Sequence, residues 1–369
     1  MEIHIDSAVL AEAVAWAARV LPARSPMPVL GGLLLEAGDD GRLSLSGLDH
    51  EASARVEVDA ATEVPGRALV LGRRLLDICK VLPPGRTALT VEDARLSVTS
   101  GEVRFGLSLL PLDSYPAAPA LPPVLGEVDG AAFAEAVGQV TAAAGRDDSL
   151  PVLTGTRLAL DGSVMTLAAT DRYRYAVRTL EWYPGLGAAP AEPADVVVPA
   201  RRLAETARSL AGEGRTRIGL DAHSIGFERA GLRTTARLLD GRLPRHDKLF
   251  ALGEHAVAVT GRAALVEAVK RVAVVAEGDS PVQLAFEGTA LHLRAGYEDD
   301  VASQRLSATL DGAAALTVAF NPGYLLDALT RFTAEDVRLH LLGPGQRALL
   351  TDGTDGHHRH LLMSVKPLV

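Results

Sequence analysis

Leu10-Ala11-Glu12-Ala13-Val14, Phe133-Ala134-Glu135-Ala136-Val137 and Leu265-Val266-Glu267-Ala268-Val269 are three renderings of one phrase. Each is followed by a proline-marked turn and an apolar strand: Pro28-Val29-Leu30, Pro151-Val152-Leu153 and Pro281-Val282-Gln283-Leu284. From Leu10 to Phe133 is 123 residues, and from Phe133 to Leu265 is 132. A period that long is a whole domain, not a solenoid unit. Threefold repetition argues against one enzyme built around a single cleft. It argues for a body whose shape does the work.

A smaller repeat sits inside the large one. Val70-Leu71-Gly72-Arg73-Arg74-Leu75-Leu76-Asp77 is similar to Val198-Pro199-Ala200-Arg201-Arg202-Leu203-Ala204-Glu205 and to Phe320-Asn321-Pro322-Gly323-Tyr324-Leu325-Leu326-Asp327. Each reads as a short strand, a helix start marked by Pro or Gly, and an apolar stripe with an acid in the first turns. The pattern predicts six helices, near 7–20, 72–83, 130–146, 199–211, 261–276 and 321–332. Their buried faces are legible at Phe133, Val137, Val140 and Ala144, and at Leu265, Val269, Val272 and Ala276. Alternating stretches such as Leu43-Ser44-Leu45-Ser46, Leu96-Ser97-Val98-Thr99 and Leu291-His292-Leu293-Arg294 read as strands. Gly38-Asp39-Asp40-Gly41 and Asp161-Gly162 read as hairpin turns between strands. The expected fold class is α+β, with one helix per unit laid on one face of an antiparallel sheet. The expected domains are 1–120, 127–251 and 255–369, linked near Pro119–Glu127 and Ala251–Ala256, with Ala189–Pro193 a loop inside the second.

Composition fits that reading. A chain of 369 residues with 48% apolar content suffices for three cores. The one cysteine, Cys79, excludes an internal disulfide framework and a Cys-rich zinc site, and suits a reducing cytosol. Met1-Glu2-Ile3-His4-Ile5 reads as a strand and not a signal peptide, and no apolar run reaches the roughly 20 residues that cross a bilayer. The expected location is the cytoplasm, with no membrane partner.

Net charge is −9, which argues against ordinary nucleic-acid affinity, where a basic domain is expected. The distribution is uneven. The six helix windows hold twelve Lys/Arg against six acids, or +6, which leaves −15 elsewhere. If the helices share one face, that face is positive and the outside is negative. The plainer reading is that these cations are solvated helix faces, as any one helix would justify.

Enzyme signatures are lacking. There is no phosphate-binding Gly-x-x-x-x-Gly-Lys-Ser/Thr loop, no His-Glu-x-x-His and no Gly-x-Ser-x-Gly. Gly185-Leu186-Gly187 lacks the third glycine of a dinucleotide turn. His357, His358 and His360 crowd together, but only Asp355 stands near enough to complete a metal set, and a solvated hairpin is the expected setting. No metal or cofactor is expected. The alternative function is a small-molecule hydrolase or transferase on the repeated scaffold, with its site at Asp171 and Arg174.

Two strings carry a specific resemblance. Arg146-Asp147-Asp148-Ser149-Leu150-Pro151-Val152-Leu153-Thr154-Gly155 runs into Leu167-Ala168-Ala169-Thr170-Asp171-Arg172-Tyr173-Arg174, and Leu239-Asp240-Gly241-Arg242-Leu243-Pro244 follows. Together with the triple repeat they resemble the bacterial DNA polymerase III beta subunit, the replicative sliding clamp. That resemblance implies three similar domains per chain, forming half of a ring that a head-to-tail homodimer closes. Helices would line a hole for duplex DNA, with sheets outside. A ring holds DNA by topology, so a diffuse positive lining suffices and no bases are read. The implied partners are duplex DNA, the replicative DNA polymerase, an ATP-dependent clamp loader and other clamp-binding repair proteins.

The resemblance also implies sites. A partner-peptide pocket would involve Leu153, Thr170, Arg172, Tyr173, Arg174, Tyr175, Pro244, Lys248, Leu249, Leu361, Leu362, Met363, Ser364, Val365 and Lys366, with Arg174 and Lys248 anchoring polar peptide ends. Without the resemblance, Leu153, Leu249 and Leu361 read as plain core. DNA-facing residues would be Arg24, by analogy with a family arginine, and Arg73, Arg74, Lys80, Arg146, Arg201, Arg202 and Lys270 by helix position. Phe105, Leu107, Val274 and Val275 would form the dimer interface. The chain departs from the family at two places. Asp171-Arg172-Tyr173-Arg174-Tyr175 stands where many members have Asp-Gly-His-Arg-Leu, and Met363-Ser364-Val365-Lys366 stands where the tail is usually Met-Pro-Met/Val-Arg, with proline only at Pro367. A missing proline frees φ and restores an N–H at the rim. These departures suggest a specialised or inhibitor-tolerant copy.

Overall fold

The computed structural model describes residues 1–22, 27–185, 194–276, 280–297, 300–353 and 356–366. Seven helices lie among them: α1 Ser7–Ala17, α2 Gly72–Cys79, α3 Gly130–Thr141, α4 Ala200–Ser209, the single turn α5 Asp247–Phe250, α6 Arg262–Val272 and α7 Pro322–Leu329. Six fall in the expected windows and end earlier than expected. Residues 18–20 and 273–275 tighten into 3-10 turns, a common way to end a helix. Three starts are capped by side chains. The Asp6 carboxylate accepts from the Ala8 and Val9 N–H groups, Asp129 from Ala132, and Asn321 from Tyr324. Among the described residues the remaining regular structure is antiparallel sheet and three short 3-10 turns, Pro28–Gly31, Leu112–Ser114 and Pro151–Thr154, so the α+β reading holds.

Two compact units form. One comprises Met1–Val128, Pro184–Ala189 and Gly212–Leu238; the other comprises Asp129–Tyr183, Pro190–Ala211 and Leu239–Val369. This partition differs from the three sequence repeats because sheets run across repeat boundaries. In the first unit, Leu232–Arg237 of the second repeat pairs with Ala52–Asp59 of the first. In the second unit, Arg174–Glu181 of the second repeat pairs with His358–Met363 of the third.

Within the first unit, α1 and α2 pack together, with Leu10, Ala13, Val14 and Leu75 buried. A five-stranded sheet in the same unit ends at Val103–Ser108, an edge strand. Within the second unit, α3 and α4 lie on strands Gly155–Asp161, Val164–Thr170, Arg174–Glu181 and Ala194–Pro199, while α6 and α7 cover the third repeat. Phe133, Val137 and Val140 are wholly buried, as are Leu265 and Val269. Burying a side chain such as Phe133 contributes about 2–3 kcal/mol, which is why these stripes were readable.

Candidate functional site

The turn from Val164–Thr170 into Arg174–Glu181 organises the site. Asp171 Oδ1 accepts from the Tyr173 and Arg174 N–H groups at 3.0 and 3.1 Å. Thr170 Oγ1 donates to the Arg174 carbonyl at 2.6 Å and accepts from the Arg172 N–H at 3.2 Å. These bonds hold Arg172 at φ +82°, a left-handed conformation costing roughly 1–2 kcal/mol without glycine. Arg172 and Tyr173 consequently project into solvent, Tyr173 with 60% of its surface exposed.

From Arg174 onward the strand alternates. Arg174 turns toward α7 and is buried: its Nε donates to Asp171 Oδ2 at 2.8 Å and its Nη1 to Asp327 Oδ2 at 2.6 Å. Its guanidinium lies 4.5 Å from the Tyr324 ring centroid, and Tyr173 stacks on Tyr324 at 6.2 Å. The guanidinium is thus paired with two carboxylates, as a buried cation requires, while the side chain still lines the cleft on this face. The same geometry weighs against the hydrolase alternative, since one guanidinium engages both carboxylates.

A cleft of about 640 Å³ opens here, walled by Leu150, Leu153, Arg172, Tyr173, Tyr324 and Asp327, with Arg146 and Asp147 at its side. The Ser149 backbone N–H holds the Asp147 carboxyl below its ordinary range, with Arg172 a lesser cause. Sequence reasoning missed Asn321 and Tyr324; the Asn-Pro-Gly-Tyr start of α7, with its side-chain cap, was the available signal. Arg146 was expected on an inner helix. It lies beyond the end of α3 and lines this cleft instead.

On the opposite face of the same strand, Tyr175 and Leu361 are register partners and both are buried. They pack with Phe250 and Leu349, with Leu249 half-buried beside them. The Tyr175 hydroxyl donates to the Pro244 carbonyl at 2.6 Å, and Arg347 Nη1 donates to the Leu249 carbonyl at 3.0 Å. Leu361 is buried in this cluster, and Leu362 belongs to the third-repeat core. Pro244, Lys248, Met363, Val365 and Lys366 remain exposed around this face.

Ser364 is buried, unlike its neighbours. Its N–H donates to the Gln346 carbonyl at 2.9 Å. Its Oγ accepts from the Gln346 N–H at 3.0 Å and lies 2.7 Å from the Gln346 carbonyl and 3.2 Å from that of Gly343. The hydroxyl closes the turn that leads into strand Arg347–Thr351.

The remaining expectations fare unevenly. Arg73, Arg74, Lys80, Arg201 and Lys270 are exposed and Arg202 is half-buried, but several face acids on their own helix. Lys80 is 3.1 Å from Asp77, Arg201 3.2 Å from Glu205 and Lys270 2.8 Å from Glu267. Within their observed bounds the six longer helices hold eight Lys/Arg against six acids, a net +2, which corrects the +6 of the windows. Arg19, Lys80, Arg146 and Arg331 fall beyond the last regular turns, where a cation complements a helix C-terminus. Arg24 and Asp355 lie outside the described residues, as do Leu186, Gly187, Ala189–Pro193 and Pro367.

Phe105 and Leu107 are half-buried on the edge strand Val103–Ser108. Val274 is 82% exposed, while Val275 is half-buried against the core. His357 is exposed, but His358 and His360 are buried on a central strand, which corrects the solvated-hairpin expectation. Burial, then the charges of His358, Arg174 and Arg331, holds the His360 imidazole well below its ordinary pKa.

Comparison with known proteins gives a consistent result. Models of the DNA polymerase III beta subunit match in succession: its N-terminal domain over residues 1–119, central domain over 127–245 and C-terminal domain over 248–366. The beta sliding clamp of Streptomyces coelicolor is 46% identical over 378 residues, covering 99% of each chain. A beta sliding clamp homolog, GriR, from Streptomyces muensis is 40% identical over 375 residues, again covering 99% of each. Among solved structures, a Pseudomonas aeruginosa sliding clamp bound to griselimycin superimposes with a TM-score of 0.93 at 27% identity, over the whole of both chains.

Proposed function

Because this chain belongs to the DNA polymerase III beta subunit family, whose members are DNA sliding clamps, we propose that it closes into a head-to-tail homodimeric ring around duplex DNA. There it is a non-catalytic processivity factor in the cytoplasm, loaded by an ATP-dependent loader. It tethers the replicative polymerase and repair proteins through the cleft beside Tyr173 and Tyr324. The observation that carries this reading is likeness over the full length of both chains at 46% identity. Exposed Arg73, Arg74, Lys80, Arg201 and Lys270, with half-buried Arg202, supply a weak DNA-facing field, weakened further by their helical acid neighbours. Weak contacts suit sliding, since each strong phosphate contact would have to be broken at every step.

Two strand edges support ring closure. Val103–Ser108 ends its sheet, and among the described residues 300–307 pair only with Ala290–Tyr297. Such edges carry unused N–H and C=O groups and recruit another strand. Joined head to tail, an edge of one copy would meet the other edge of its partner, and a half-turn per subunit closes the ring. Val274 would lie in that contact, and Val301, with 40% of its surface exposed, is a further candidate there.

The deciding experiment is retention on closed circular DNA after loading, followed by linearisation. Release on cutting is expected, whereas unchanged retention would mean a sticky protein and no ring. The bulky Arg172–Tyr173 rim and the Ser364 turn favour a cleft that takes griselimycin less readily than the Pseudomonas aeruginosa clamp does. Titrating griselimycin against both proteins tests this, and equal affinities would refute it.

A further inference from the structure

Resting on the partner-binding reading above, we propose that Tyr175 occludes half of the partner site with its own ring, so that Tyr175 sets which peptides the chain accepts. The residues expected to form one pocket fall on two faces of a strand, because successive side chains alternate. Toward α7 there is open space, the cleft of about 640 Å³ beside Tyr173 and Tyr324. On the other face the space is filled. Tyr175 retains only 3% of its surface, and Leu361 4%.

Three independent contacts hold the ring in place. The hydroxyl donates to the Pro244 carbonyl at 2.6 Å. The ring meets Phe250 edge-on, centroids 5.7 Å apart, and His246 at 6.1 Å. The wall behind is itself braced, with Arg347 bonded to the Leu249 carbonyl and the Arg359 guanidinium 5.2 Å from the Phe250 ring centroid. Burial pushes the Tyr175 hydroxyl up to about 12, so it remains a donor throughout the physiological range. An apolar peptide side chain entering between Pro244, Leu249 and Met363 must first expel the phenol and break its hydrogen bond. A leucine at this position, as in the family string ending Arg-Leu, has no hydroxyl to reach Pro244 and leaves the hollow accessible.

The test measures anisotropy of a fluorescein-labelled peptide with two adjacent apolar residues, drawn from the polymerase the ring tethers. It compares wild-type protein with Tyr175→Phe, Tyr175→Leu and Tyr173→Ala. Loss of the hydrogen bond alone should tighten binding of Tyr175→Phe by about two- to ten-fold. Tyr175→Leu should tighten it further, and Tyr173→Ala, on the open side, should weaken it. The near-isosteric Phe variant decides the matter if the Leu variant folds poorly. Should both position-175 variants bind no tighter than wild type while Tyr173→Ala weakens binding, the occlusion is wrong and the partner site stands. If the peptide binds none of the four proteins, the partner-site reading falls and takes the occlusion with it.

Discussion

Ser364→Pro restores the residue that the family tail usually carries, and it should cost this chain stability. Proline removes the N–H that donates to the Gln346 carbonyl at 2.9 Å, and with it the Oγ that accepts from the Gln346 N–H at 3.0 Å. Each lost bond in a buried turn costs about 1 kcal/mol, more where the abandoned group finds no water. Stiffening the unfolded chain returns about 0.4–1 kcal/mol, and Met363 already has the extended backbone that a following proline requires. The expected net loss is about 1–2 kcal/mol. Ser364→Ala, which keeps the N–H, should lose about half as much. Hydrogen exchange across residues 342–350 is the discriminating assay. Faster exchange of the Gln346 amide is expected in both variants, and a urea midpoint shift should be larger for proline. Unchanged Gln346 exchange in Ser364→Pro would refute the reasoning, because the turn would then be held by something other than Ser364.

Other consequences follow from the same geometry. His360 is buried with its imidazole pKa well below the ordinary value, so the unfolded chain binds the extra proton first. Stability is therefore complete above about pH 6.5 and declines as pH falls below it. His246 and His340, also lowered chiefly by burial, act in the same direction. Thermal melts from pH 7.5 to 5.5 should show the decline, and His360→Leu should flatten part of it; an identical slope would exclude His360. Replacing both Val274 and Val275 with Asp should halve the mass seen by light scattering from near twice 38.7 kDa, and a surviving dimer would place the interface elsewhere. Arg174→Ala strands the mostly buried Asp171 and should cost about 3 kcal/mol in urea unfolding, whereas Asp327→Asn, at a half-exposed partner, should cost about 1 kcal/mol. Equal losses would mean that the network does not centre on Arg174.

How much of this was legible depends on which physical signal each residue carries. Helix existence was readable because Phe133, Val137 and Val140 repeat at helical spacing and are wholly buried. Helix ends were less so, because Ala18–Val20 and Ala273–Val275 continue the apolar pattern after the regular hydrogen bonding has tightened. The charge split inherited that error, since four cations credited to helices stand beyond them. The site is a different case. Resemblance supplies a set of positions without the parity of the strand that bears them, and parity decides what each position can do. Arg174 and Tyr175 are neighbours in sequence, yet one is consumed by Asp171 and Asp327 and the other by Pro244 and Phe250. In the partner site proposed above, binding would begin on the residues the turn thrusts outward, Arg172 and Tyr173, and reach the buried Tyr175 second. Selectivity would then follow the order in which the two faces of the strand are entered.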